Sequence, residues 1–345
     1  MLKLNLAING FGRIGRSFLK SSLLDKEFND IIEIKAINDL ANIKELSHLF
    51  KYDSTFGKFE GDIEIDETNK VLIINKDKRI NIISESDPSK LPWKELNIFF
   101  VLESSGKFND KENTQKHILA GARKVIISAP AKNPDATLIM GVNNQIYENQ
   151  KHNIISMASC TTNCIAPVIK VLNDKFGIES GYMTTTHAYT NDQRLLDSYH
   201  KDLRRSRSAM MSIIPTTTGA AKAIGIVIPE LEGKIDGLAL RVPVNNGSIS
   251  DMVLNLKKEA TRDEINNELK KASNEDLKDI LSYTEEPIVS SDIIGDSHSS
   301  IVDGLSTMVI NNKGKYVKIL SWYDNEWSFA CRLVDLVKFL AKNSG

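Results

Sequence analysis

Three cysteines in 345 residues are too few for a disulfide framework. Cys160 and Cys164 stand one helical turn apart and Cys331 lies far along the chain, a usage that fits a reducing, cytoplasmic setting. Charge of either sign is not in excess: 44 Lys and Arg meet 45 Asp and Glu, for a formal net charge of −1. That balance offers no electrostatic case for nucleic acid or for an anionic membrane surface. No run approaches the ~18 uninterrupted apolar residues of a membrane span. The start, Met1 to Asn5, passes straight into a strand-like pattern rather than a signal peptide. Internal repeats and low-complexity segments are lacking too, and no metal site is expected. What remains is an ordinary globular composition, 41% apolar and 26% charged, at a length that suggests two domains.

The stretch that organises the rest is Ser159-Cys160-Thr161-Thr162-Asn163-Cys164. A thiol at a helix start feels the positive end of the macrodipole, which favours the nucleophilic thiolate. The same start, with its hydroxyls and unbonded N–H groups, can cradle an anion. The plain alternative is a buried structural cysteine behind a Ser or Thr cap.

In the first half, Leu4 to Asn9 reads as a strand, followed at once by Gly10-Phe11-Gly12-Arg13-Ile14-Gly15 and a helical pattern. A second strand, Ile31 to Ile37, ends at Asn38-Asp39. Asp39 lies near the spacing of about 20 residues expected of a ribose-binding carboxylate. Strand, glycine loop, helix and acid together predict a dinucleotide site, in which the three glycines make the turn, admit the pyrophosphate and pack helix on strand. A carboxylate at Asp39 favours NAD over NADP. Lys70 to Ile83 reads as a hairpin, Asn97 to Leu102 and Val125 to Ile127 as buried strands, and Asp110 to Leu119 as a helix. Ser128, at a strand's carboxyl edge, is either a cofactor contact or a strand-end cap. Alternating strands and helices predict a parallel, doubly wound sheet.

In the second half a helix should run to about Phe176, with a kink or an irregular first turn at Pro167. Gly181 to His187 is strand-like and ends in a histidine, either the base that activates the thiol or a hydrogen-bonded structural residue. The basic stretch around Arg204, Arg205 and Arg207 suits phosphate, subunit contacts or plain solvation. Pro215 to Lys222 offers a second anion nest before a helix. Arg241, inside an apolar strand, wants a phosphate or an internal carboxylate as partner. Strands are expected at Ser248 to Leu256, Pro287 to Val289, Ser306 to Ile310 and Tyr316 to Trp322, with helices at Arg262 to Ala272 and Glu326 to Leu340.

From Ala7 to Arg16 through Ala158 to Cys164 and Pro215 to Lys222 to Trp322 to Trp327, the chain resembles phosphorylating glyceraldehyde-3-phosphate dehydrogenase of the bacterial and organellar kind. The resemblance implies an oxidoreductase of glycolysis or gluconeogenesis. Its fold would be a Rossmann doubly wound parallel sheet (1–159 with 325–345) plus an α+β catalytic domain with a mostly antiparallel sheet (160–324). It implies NAD-dependent oxidative phosphorylation of D-glyceraldehyde 3-phosphate through a cysteine thioester, with Cys160 as nucleophile and His187 as its base. Residues matching Ser159, Thr161, Thr218 and Gly219 would line the site for inorganic phosphate. Thr190 and Arg241, helped by Arg204, would hold the substrate's own phosphate. Arg13, Ile14, Asp39, Ser128 and Asn325 would contact NAD alongside the glycines, and Tyr189 to Ser212 would be an interface loop of a cytoplasmic homotetramer. Ser86, Met157 and Ser198 depart from the usual pattern, the last beside the ribose, so use of NADP as well stays open. The alternatives are an erythrose-4-phosphate dehydrogenase on the same fold and a non-catalytic NAD-binding regulator.

Overall fold

The computed structural model describes residues 3–344; Met1, Leu2 and Gly345 lie outside the described residues. The chain forms two compact units. One comprises the chain up to Leu138, Gln145–Ala158 and the residues from Ala330 onward; the other comprises Ile139–Asn144 and Ser159–Phe329.

The first unit is built on nine strands: β1 (Leu4–Asn9), β2 (Ile32–Asn38), β3 (Ile63–Asp66), β4 (Val71–Ile74), β5 (Lys78–Ile83), β6 (Ile98–Glu103), β7 (Lys124–Ile127), β8 (Ala136–Thr137) and β9 (Ile154–Ser156). Their order is β8-β9-β7-β6-β1-β2-β5-β4-β3. Every pairing from β8 to β5 is parallel, and β3, β4 and β5 close the edge as antiparallel hairpins. The central strands are apolar throughout: Leu6, Ala7, Ile8, Phe100, Val101, Leu102 and Ile126 are fully buried, as a parallel sheet covered on both faces requires. The helices α1 (Arg13–Leu24) and α2 (Lys111–Leu119) are among the crossovers. This is the expected doubly wound Rossmann sheet. It turns the carboxyl ends of β1, β2 and β6, where ligands bind in such folds, toward Gly10, Asp39 and Ser104.

The second unit starts with α3 (Cys160–Phe176), then β10 (Ile178–Ala188), β11 (Ile214–Thr217), α4 (Ala220–Val227), β12 (Ile235–Val242), β13 (Ser248–Thr261), α5 (Arg262–Asn274), β14 (Leu281–Thr284), β15 (Ser300–Asp303), β16 (Met308–Val309) and β17 (Lys313–Tyr323). A last helix, α6 (Trp327–Lys342), returns the chain to the first unit. The sheet order is β11-β12-β10-β13-β17-β15-β14, with β16 on β17. It is mostly antiparallel, but β10–β12 and β14–β15 run parallel. Sequence pattern missed β14 and β15. Pro287 to Val289, expected as a strand, is irregular, and Ser306 to Ile310 shrinks to the two residues of β16. These segments are too short to show a period. Proline, lacking an N–H, also suits an irregular segment better than a ladder.

The expected helix begins at Cys160 and runs unbroken through Pro167 to Phe176. So close to the start, that proline removes only the bond to the Asn163 carbonyl. Ile165, Val168, Ile169, Leu172 and Phe176 give α3 an apolar side, which packs on β10, β13, β15 and β17. Gly177, at φ +69°, ends it.

Candidate active site

At the end of β1 the chain turns through Gly10, at φ +92°, and a Cβ there would sit 2.5 Å from the Ser105 backbone. On Gly15 a Cβ would sit 2.3 Å from the Gly10 carbonyl oxygen, so helix and strand approach only because neither residue has a side chain. Gly12 differs. Its Cβ position is open, and it caps α1 with no side-chain hydrogen bond. The first turn therefore offers its backbone to a ligand rather than to a capping side chain, and Ile14 lies in that turn. Asp39 is pinned as an acceptor: Phe11 N–H donates to Oδ2 at 2.7 Å and Ala41 N–H to Oδ1 at 3.0 Å. Beside it lies a cavity of about 220 Å3, lined by Gly10, Gly12, Asp39, Leu40, Glu85 and Ser86 among others. An uncapped helix start, a clear glycine and a fixed carboxylate fit a dinucleotide.

Arg13 sends its guanidinium to Asp53 at 2.8 Å. Burial raises that carboxyl's pKa, but Arg13 and the N–H groups of Thr55 and Phe56 outweigh it and hold it at about 2. The Ser128 hydroxyl donates to the Glu103 carbonyl at 3.0 Å, as a strand-end cap does. Sequence reading missed what stands behind this edge. Buried Glu103 accepts from Asn9 Nδ2 at 2.5 Å and from Ser105 Oγ at 2.5 Å, and faces His117 Nε2 at 3.1 Å. Trp93 holds the other ring nitrogen at 3.0 Å.

In the second unit Ser159 caps α3, its Oγ accepting from Thr162 N–H at 3.1 Å, and Cys160 is the first helical residue. The residue ahead of the cap, Ala158, is held at φ +55°, a backbone strain of the kind that gathers at functional sites. The Cys160 Sγ lies 3.4 Å from His187 Nε2. His187 is the next-to-last residue of β10, and the parallel register sets it beside Arg241 of β12. Arg241 Nη1 contacts His187 Nδ1 and donates to the Ala188 carbonyl at 2.9 Å. His187 Nδ1 also lies 2.6 Å from that carbonyl. With its proton on Nδ1, the ring presents a lone pair at Nε2 to the thiol; the Arg241 contact selects the opposite tautomer. The buried Tyr323 ring meets His187 edge-on, with centroids 6.0 Å apart. Its hydroxyl bridges Thr161 and Thr185 at 2.8 Å each.

Burial decides the protonation. It pushes the Cys160 thiol above its usual range, against the Arg241 charge and the Thr161 N–H. It pulls His187 down to about 3, helped by the Arg241 and Arg205 charges. Both shifts favour thiol and neutral imidazole over the ion pair, opposite to the pull of the helix start. Cys164, one turn on, is wholly buried against Ser300 and Ser321 and pushed up to about 12, so it is the packing cysteine.

The anion-binding candidates also fall in this unit. Half-buried Arg241 keeps its buried Nε without a partner among the described residues, a charged donor in want of an acceptor. Gly219 caps α4 without a side-chain bond, its Cβ position open, and Thr218 Oγ1 accepts from Ala220 N–H at 3.2 Å. Thr190 N–H reaches Gln193 at 3.3 Å. Arg204 is exposed, its guanidinium donating to the Pro215 carbonyl at 3.4 Å. Its neighbour Arg205 is the arginine turned inward, bonded to Thr216 Oγ1 at 2.9 Å and paired with Asp192. Adjacent arginines look alike in sequence, so nothing in the pattern singled it out. Asn325 is buried and accepts from Ser248 Oγ at 2.7 Å. Among the described residues, no His, Cys, Asp and Glu cluster is arranged to hold a metal, and no helix is long and apolar enough to cross a membrane.

Two family models match. Residues 4–111 match the NAD binding domain of glyceraldehyde 3-phosphate dehydrogenase, and residues 159–325 match its C-terminal domain. The chain is 50% identical over 340 residues to glyceraldehyde-3-phosphate dehydrogenase 2 of Bacillus subtilis, covering 99% of this chain and 97% of the relative. It is 51% identical to the Geobacillus stearothermophilus enzyme (99% of both chains) and 52% identical to that of Streptomyces coelicolor (98% and 99%).

Proposed function

The chain belongs to the glyceraldehyde 3-phosphate dehydrogenase family, and on that premise we propose that it oxidises and phosphorylates D-glyceraldehyde 3-phosphate to 1,3-bisphosphoglycerate with NAD. The first unit serves as NAD-binding domain and the second as catalytic domain. The observation that carries the reading is the Cys160–His187 contact at 3.4 Å with Arg241 on the far side of the ring. In the tautomer whose Nδ1–H donates to the Ala188 carbonyl, His187 takes the thiol proton through Nε2, and the thiolate attacks the aldehyde carbon. The resulting oxyanion finds donors in the protonated ring and the Cys160 N–H at the start of α3. NAD, when bound, supplies the acceptor for the hydride that carbon gives up. Inorganic phosphate, held by Ser159, Thr161, Thr218 and Gly219, then attacks the thioester carbon and displaces the Cys160 sulfur. Thr190 and Arg241 hold the substrate phosphate, and Arg205 takes the place beside them expected of Arg204. Substrate charge next to Arg241 offsets the cation that adds to burial in keeping His187 neutral, which favours the protonated ring the oxyanion needs. On the cofactor side Gly10, Gly12, Gly15, Arg13, Ile14 and Asp39 meet the adenosine and pyrophosphate, with Ser128 and Asn325 as further contacts.

We also assign the chain to a cytoplasmic homotetramer. Leu195, Leu196, Tyr199 and Leu203 are each 70% or more exposed on one loop, apolar side chains that a partner subunit would cover. Assay with glyceraldehyde 3-phosphate and NAD, with and without inorganic phosphate, tests the activity. Turnover indifferent to phosphate would overturn the phosphorylating reading in favour of thioester hydrolysis.

A further inference from the structure

We propose that Glu103 is a positioning residue for the adenosine half of NAD: its buried carboxylate locks together the ends of β6, β1 and β2, which wall the cavity beside Asp39. The inference rests on the cofactor reading above and adds to it a residue that does not line that cavity. Glu103, Asn9 and Asn38 are the last residues of β6, β1 and β2, and the register sets Asn9 opposite both of the others. All three are buried. The polarity of their contacts is fixed from two directions. On one side Asn38 pairs with the Glu85 peptide, its Oδ1 accepting the N–H at 2.9 Å and its Nδ2 donating to the carbonyl at 2.9 Å. Each backbone group has one role, so this amide has one orientation. Its Nδ2 also meets Asn9 at 2.7 Å, where only Oδ1 can accept, and that turns Asn9 Nδ2 to Glu103 Oε2 at 2.5 Å. On the other side the Trp93 indole N–H can only donate. His117 Nδ1 therefore accepts it at 3.0 Å, and the ring's proton sits on Nε2, 3.1 Å from the same Oε2. Ser105 N–H donates to Oε1 at 2.8 Å. Both oxygens of Glu103 thus face donors of fixed role. An amide in either orientation would set an N–H against one of them, so the position calls for a carboxylate.

What this network holds is the wall of a site. Asn9, Asn38, Glu85 and Ser105 line the cavity of about 220 Å3 with Gly10, Gly12 and Asp39. The glycine turn is braced by the same strand ends: Gly10 N–H donates to the Asn38 carbonyl at 2.8 Å, and Ser104 Oγ donates to the Gly10 carbonyl at 2.7 Å. Every member of the network belongs to the first unit, so its loss bears on cofactor affinity and not on the chemistry at Cys160.

The test is Glu103→Gln in the full chain, which keeps the volume and replaces one acceptor by a donor. Dissociation constants are measured for NAD and for ADP-ribose, which lacks the nicotinamide. Both should rise by the same factor, about tenfold, because a buried donor is left unmatched at the cavity wall, while kcat at saturating NAD stays within about twofold. His117→Phe keeps a ring but removes one donor to Oε2. It should raise both constants about threefold with the same split, and it carries the comparison should Glu103→Gln fail to fold. A lower Tm with both constants unchanged, a loss confined to NAD, or a fall in kcat at saturating NAD overturns the proposal. A wild-type chain that binds both ligands while Glu103→Gln binds them as tightly retires only the role of Glu103. A wild-type chain that binds neither removes the cofactor reading as well.

Discussion

The starts of α1 and α3 are made of the same backbone dipoles, yet they are finished differently. At α1 the cap is Gly12, which contributes no side-chain bond and leaves open space in front of the helix. At α3 the cap is Ser159, whose own hydroxyl takes the Thr162 N–H, and the first helical residue is the thiol. The first start leaves its donors without a capping side chain; the second spends one on its own cap and holds a side chain in place. A helix N-terminus is thus not one kind of site. What caps it, and what is buried around it, decides whether it receives an anion or presents a nucleophile.

The comparison breaks most sharply at the sulfur. Cys160→Ser should lower kcat by roughly a thousandfold or more while the NAD dissociation constant stays within about twofold. Cys164→Ala, one turn further into the same helix, should cost about 1 kcal/mol of stability and leave kcat intact. Equal losses in the two variants would erase the distinction between them.

At α1 the glycines should separate. Gly15→Ala forces a Cβ against the Gly10 carbonyl and should destabilise by about 1–3 kcal/mol, read as a lower Tm. Gly12→Ala meets nothing in the protein, so Tm should hold while NAD affinity falls roughly tenfold, because the methyl occupies the pyrophosphate's approach. A Gly12→Ala chain that binds NAD normally would remove the pyrophosphate from that start. Ser159→Ala should cost about 1 kcal/mol in denaturant unfolding, the ordinary loss of a helix cap; the start of α1, having no such cap, offers no counterpart.

The last comparison is acid stability. His187 sits at about 3 against an ordinary 6.5, so the folded state resists its protonation. Its contribution is present above about pH 6.5 and is lost as pH falls toward 3. Tm should therefore decline less steeply over that range in His187→Gln than in the wild type. Parallel slopes would mean the ring is solvated in a way its burial does not suggest.

Much of the dinucleotide side was legible before any coordinates. A strand, a glycine loop, a helix and an acid at the next strand's end are consecutive in the chain, and the chemistry there is mostly backbone. Even so, the Glu103 network behind it was not visible, because Asn9, Glu103, His117 and Trp93 meet from four separate segments. On the catalytic side the hexapeptide stood out and His187 was the reasonable base. The pattern could not show that Arg205 turns inward and Arg204 outward, nor that burial raises the pKa of the thiol.

Sequence by itself determined which residues could do chemistry, and it determined the Rossmann half, since turn geometry and alternation act between near neighbours. Tertiary structure decided which groups meet and in what charge state. The parallel register of β10 on β12 sets His187 beside Arg241, and the packing of α3 on the sheet brings Cys160 to the ring and carries Cys164 into the core. Those outcomes depend on desolvation and on contacts between distant segments, and neither is written in the order of the residues.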